Sequence, residues 1–100
     1  MALMNQTTGE YLKVTAMQFD FAVGNHHISY YIFANADQRH RYDAGLTAYE
    51  IYKTGQYNGI GHIETALNQL PAGIETARDA VFNACYNALK LDMFANWIDC

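Results

Sequence analysis

Cysteine, serine and charge are all scarce in this chain of 100 residues, and each scarcity removes a class of function. The two cysteines, Cys85 and Cys100, form no CxxC unit, so neither a disulfide framework nor a thiolate zinc site is expected. Cys85 reads as a small hydrophobe on the inner face of a helix and Cys100 as a fraying end, which points to a reducing compartment. The single serine, Ser29, sits in no nucleophile elbow. Charged residues make up 16% of the chain, and a net charge of −4 with a pI of about 5.3 offers phosphate backbones no general attraction, so nucleic acid is not expected as a direct partner. No apolar run approaches the roughly 18 residues that span a bilayer. Met1 to Gly9 lacks the charged start and apolar stretch of a secretory signal, so synthesis as a soluble cytoplasmic chain without a membrane partner is expected.

What is abundant is apolar and aromatic. Hydrophobic residues are 51% of the chain and eight of its 14 aromatics are tyrosine, a side chain that joins a large apolar body to a polar tip and is common at interfaces. Most of them are needed to fill a core. The length suits a single domain spanning residues 1–100, with too little chain for a second core.

The clearest local pattern is a hairpin. Met17, Phe19, Phe21 and Val23 alternate with polar or small residues, Gly24-Asn25 follows, and Ile28, Tyr30 and Ile32 alternate again. A two-residue turn at Gly24-Asn25 would set Phe21 opposite Ile28, Phe19 opposite Tyr30 and Met17 opposite Ile32. One face is then apolar, while Gln18, Asp20, Ala22, His27, Ser29 and Tyr31 lie on the other, so the ribbon needs a cover on one side. Upstream, Leu12, Val14 and Ala16 form a first strand whose apolar residues are even-numbered. The change to odd numbers between Ala16 and Met17 requires a bend, a bulge or a turn, because an unbroken pleat would send the two sets to opposite faces. Asn35 is placed to cap a helix over Ala36 to Ala44, with Gly45 at its left-handed end, and Thr47 to Thr54 reads as a further strand.

The period then becomes helical. Ile60, Ile63, Leu67 and Leu70 form one stripe closed by Pro71 and Gly73. Ile74, Ala77, Val81, Cys85, Ala88 and Leu89 form a longer one, broadened by Phe82, with Glu75, Arg78, Asp79 and Asn87 beyond it. Strands first and helices afterwards predict an α+β fold: a small, mostly antiparallel sheet of three or four strands in the N-terminal half, covered on one face by the C-terminal helices.

Reactive groups do not assemble into a signature. His26 and His27 are adjacent, point to opposite faces of a strand, and read as solvated residues at a hairpin tip. His62-Ile63-Glu64 carries the HxE of zinc deaminases without the PCxxC segment that would complete the site. Gly59-Ile60-Gly61 lacks the GxGxxG pattern and the Walker lysine and reads as a flexible helix entry. The basic cluster Arg39-His40-Arg41 lies between Asp37 and Asp43, giving two (i, i+4) ion pairs on a solvated helix face. No catalytic residue, metal ligand or cofactor site is therefore expected. The acidic, aromatic ending is more pointed: Met93, Phe94, Trp97 and Ile98 must dock on this domain or on a partner, and Trp97 is the natural anchor in the second case.

The segments TGEYLKVTAMQFDF, AGLTAYEIYKTGQYN and LKLDMFANWIDC resemble small proteins of this length encoded in the structural and tail modules of tailed phages of Gram-positive bacteria. The resemblance implies a non-enzymatic virion component or assembly factor, residing in the virion or the host cytoplasm. It would act through contacts with other virion proteins and with further copies of itself, as a homo-oligomer. The residues expected at such contacts are Tyr49, Tyr52, Tyr57, Phe94 and Trp97. The alternative is a small phage-encoded inhibitor or accessory protein that binds a host enzyme; a minor enzyme or ligand-binding domain using His62 or Glu64 is a third.

Overall fold

The computed structural model describes residues 2–69 and 78–99. The element order is β1 (Leu3–Met4), β2 (Tyr11–Asp20), β3 (Asn25–Phe33), α1 (Ala36–Asp43), β4 (Lys53–Tyr57), α2 (Ile60–Asn68), α3 (Arg78–Lys90) and β5 (Ile98–Asp99). The strands form one antiparallel sheet of order β4-β3-β2-β1-β5, so the fold is α+β. Two of the five strands are only two residues long; one comes from the polar lead and the other from the aromatic ending, neither of which shows an alternating pattern.

The change of apolar phase is absorbed by a β-bulge between Val14 and Ala16, so β2 stays continuous instead of breaking at Met17. Leu12 and Val14 before the bulge, and Met17 and Phe19 after it, therefore face the same core. The hairpin register differs from the expected one. Asp20 pairs with Asn25, and Phe21 to Gly24 form a four-residue loop in which Gly24 takes a φ of +68°. Met17 thus lies opposite Ile28, and Phe19 opposite His26. The shift is even, so every side chain keeps its face; Phe21 and Val23 move into the loop and are exposed.

Helices α2 and α3 cover the face that carries Ile28, Tyr30 and Ile32. The Tyr86 hydroxyl accepts the Val14 N–H at 2.9 Å, and the Cys85 Sγ lies 3.6 Å from the Met17 Sδ, so α3 grips β2 on both sides of the bulge. Ile63 and Ala66 of α2, with Ala84, Cys85, Ala88 and Leu89 of α3, complete that core. Leu70, Pro71, Gly73, Ile74, Glu75 and Ala77, expected to close α2 and open the next stripe, lie outside the described residues, as do Cys100 and the side chains of Arg78 and Asp79.

The opposite face is not bare. Asn35 caps α1 by accepting the Gln38 N–H, and α1 packs across the upper end of this face. Arg39 lies over the Tyr11 ring, Lys13 pairs with Asp43 at 3.0 Å, and Tyr42 packs on Tyr31 and Phe33. The segment expected to be a strand from Thr47 is a loop as far as Tyr52, and the strand runs Lys53–Tyr57. The cause is side-chain capture of its backbone: Gln38 Oε1 accepts the Glu50 N–H at 2.7 Å, and the Arg41 guanidinium reaches the Ala48 carbonyl.

Gly55 is required in β4 because a Cβ there would overlap the Tyr30 ring, whereas a Cβ at Gly61 in α2 meets nothing. Gly55→Ala should lower stability to urea by about 1–3 kcal/mol through overpacking. Gly61→Ala should raise it by up to about 1 kcal/mol through helix propensity.

Candidate interaction surface

The aromatic ending folds back on its own chain. Lys90 Nζ lies 2.9 Å from both carboxylate oxygens of Asp99, and β5 pairs with β1. Phe94 enters the core edge-on to Tyr30 with ring centroids 5.3 Å apart, and Trp97 packs on Phe94 at 5.2 Å. Tyr57 also points inward, where its hydroxyl donates to Asp92 Oδ2 at 3.1 Å. Of the five residues expected at contacts, Tyr57 (4% exposed) and Phe94 (7%) are therefore interior side chains, because the sheet and the returning tail bury them. Trp97 is partly covered. Tyr49 is half-buried between Phe33 and Tyr42. Tyr52, at 58% exposure, is the one of the five that stands out from the surface.

Tyr52 marks the outer border of the sheet. It directly precedes β4, the edge strand of the order β4-β3-β2-β1-β5, and its N–H donates to the Ile32 carbonyl at 2.9 Å. Lys53 Nζ sits 5.1 Å from the centre of the Tyr52 ring. Ile51 before β4 and Ile60 after it are also exposed, at 37% and 43%. Thr54 and Gln56 are exposed along the strand itself. Sequence reading started the strand too early and set Ile60 in the apolar stripe of the helix, whereas it is exposed. The available signal was charge: between Ile51 and His62 the only charged residue is Lys53.

A second aromatic group lies on the α1 side, where Tyr31, Phe33, Tyr42 and Tyr49 pack together, edge to face except for the tilted Phe33–Tyr42 pair, and Tyr42, Gly45, Leu46, Thr47 and Tyr49 line a shallow open hollow. Burial raises the Tyr42 hydroxyl above its ordinary pKa, with Tyr31, Tyr49 and Asp43 adding to the shift. The cations are engaged locally: Lys13, Arg39, Arg41 and Lys90 each pair with an aspartate, including both expected (i, i+4) pairs, Arg41–Asp37 at 3.0 Å and Arg39–Asp43 at 3.2 Å.

The reactive side chains take structural positions. His26 is fully buried, contrary to its reading as a solvated tip residue, because it lies in phase with Ile28 and Tyr30 on the core face of β3 and packs beside Phe19 and Phe21. Its Nδ1 accepts the Asp20 N–H at 3.2 Å, which assigns the proton to Nε2, and Nε2 donates to Glu64 Oε1 at 3.2 Å. Glu64 thereby ties α2 to the hairpin. His27, on the other face, lies 2.8 Å from Asn58 Oδ1, and His62 is exposed. A Cβ at Gly59 would overlap the Tyr57 ring, so this glycine has a packing role at the entry of α2. Burial pushes the Cys85 thiol up to about 12, which keeps it from forming a thiolate at neutral pH. Among the described residues no three His, Cys, Asp or Glu side chains come together to hold a metal ion, and no helix is long and apolar enough to cross a membrane.

Tyr57 and Tyr86 are both raised to about 12, Tyr57 by burial and then by its bond to Asp92, Tyr86 by burial against the lowering effect of its bond to Val14. Each therefore holds its proton more tightly folded than unfolded, where tyrosine titrates near 10. Their stabilisation is complete below pH about 10 and is lost as the pH rises through about 12. The melting temperature should fall steeply across that window. Tyr57→Phe should flatten the fall, and a phenolate absorbance titration should show Tyr57 and Tyr86 ionising above the ordinary tyrosine range. No protein-family model, no curated protein and no solved structure matches this chain.

Proposed function

We propose that this chain is a non-enzymatic structural or assembly component of a tailed-phage particle, acting through protein contacts. The observation that carries the reading is the edge strand β4, which among the described residues has no strand on its outer side, with Tyr52 and Ile51 exposed at its head. Exposed apolar side chains beside unpaired backbone groups form a surface suited to a protein partner, and tyrosine is well fitted to anchor it. The resemblance to proteins of phage structural and tail modules supplies the setting. The histidines support the non-enzymatic part of the reading: His26 is tied down as a core bridge, His27 is engaged with Asn58 and His62 is exposed.

The test is to look for the chain in purified particles and in assembly intermediates, and to replace Ile51 and Tyr52 together by serine. Both side chains are exposed, so the variant should fold with an unchanged melting temperature while particle yield drops. A chain absent from particles and intermediates, with normal yield from the variant, would refute the proposal. Recovery of the chain on a host enzyme under those conditions would favour the inhibitor reading.

A further inference from the structure

We infer that β4 pairs antiparallel with the β4 of a second copy of this chain across a twofold axis, joining two five-stranded sheets into one. This rests on the contact-protein reading and names the partner of that same edge.

The two ends of the sheet differ in what they can accept. At one end, β5 is two residues long and its Asp99 is clamped by Lys90, so it offers little ladder to a newcomer. At the other, β4 is five residues long and pairs with β3 in unbroken register from Lys53 to Tyr57, without a bulge. Sheet edges are ordinarily protected by proline, by bulges or by charges that repel an added strand. Here the strand has no proline, and its only charge, Lys53, is at the first position with its ammonium drawn over the neighbouring Tyr52 ring.

The occupant follows from charge and symmetry. A chain of net charge −4 repels its own copies, but the strip from Ile51 to His62 contains no acidic residue, so two such strips can meet without that repulsion. The exposed apolar residues lie on both flanks of β4, Ile51 and Tyr52 before it and Ile60 after it. Antiparallel self-pairing brings the leading flank of one copy beside the trailing flank of the other, and does so twice. This is the self-complementarity that an isologous interface requires. A twofold axis normal to the sheet also keeps both helix-covered faces on one side, and centred on Gly55 it sets Thr54 of one copy against Gln56 of the other.

The test combines light scattering over a concentration series with amide hydrogen exchange, on the full chain and on Thr54→Lys/Gln56→Lys. The two replaced side chains are exposed, so in dilute solution, where both chains are monomeric, the variant should keep its melting temperature, yet it would set lysine against lysine across the interface. The expected result is a dimer whose β4 amides are protected at high concentration and exchange on dilution, with a dissociation constant raised roughly tenfold or more in the variant. A monomer at the highest soluble concentration would overturn the inference, as would a dimer without concentration-dependent protection of β4. If the variant fails to fold, exchange in the unmodified chain decides. Either failure concerns self-pairing alone; the wider contact reading fails only if the chain is also missing from particles and assembly intermediates.

Discussion

The bulge at Thr15 is the constraint on which the remaining structure depends. Before it, the core side chains of β2 are even-numbered; after it, they are odd-numbered. Without the extra residue, Leu12 and Val14 would face away from Met17 and Phe19, and no single layer of helices could cover both pairs. The ladder is also interrupted there, and the protein fills the interruption with side chains. Tyr86 of α3 receives the Val14 N–H, and the Thr15 hydroxyl reaches the Ser29 carbonyl. The same irregularity that aligns the core therefore fixes where α3 sits.

Beyond the bulge, each layer is held by a small number of polar bridges set among apolar contacts. His26 links the hairpin to α2, Tyr57 links the edge strand to the turn after α3 through Asp92, and Lys90 holds the returning tail through Asp99. On the opposite face, Gln38 and Arg41 hold the loop that precedes β4. Bonds of this kind add modest net stability, but they are costly to leave half-made in a buried site, so they favour one arrangement over near alternatives. Their combined effect is to leave β4 as the longer open edge, with Tyr52 and Ile51 at its head.

Much of the fold follows from local chemistry. The Asn35 cap, the ion pairs on α1 and the apolar faces of the helices depend on residues within a few positions of one another, and alternation with period two identifies the two long strands. The phase change in β2 is equally local, since it appears as even-numbered apolar positions giving way to odd-numbered ones. Strands β1 and β5 escape such reading because two residues are too few to show a period. The loop before β4 escapes it because the groups that capture its backbone come from α1.

By itself, then, the sequence determined the α+β class, the inner face of the sheet, the capped helix α1 and the need for an irregularity in β2, all properties of spacing along the chain. The tertiary structure alone decided where distant groups meet. It buried His26 between a backbone amide and Glu64, drew Tyr57 and Phe94 inside, and left Tyr52 at an open edge. Exposure of an aromatic side chain depends on which elements return to cover it, and those elements lie far away in the sequence.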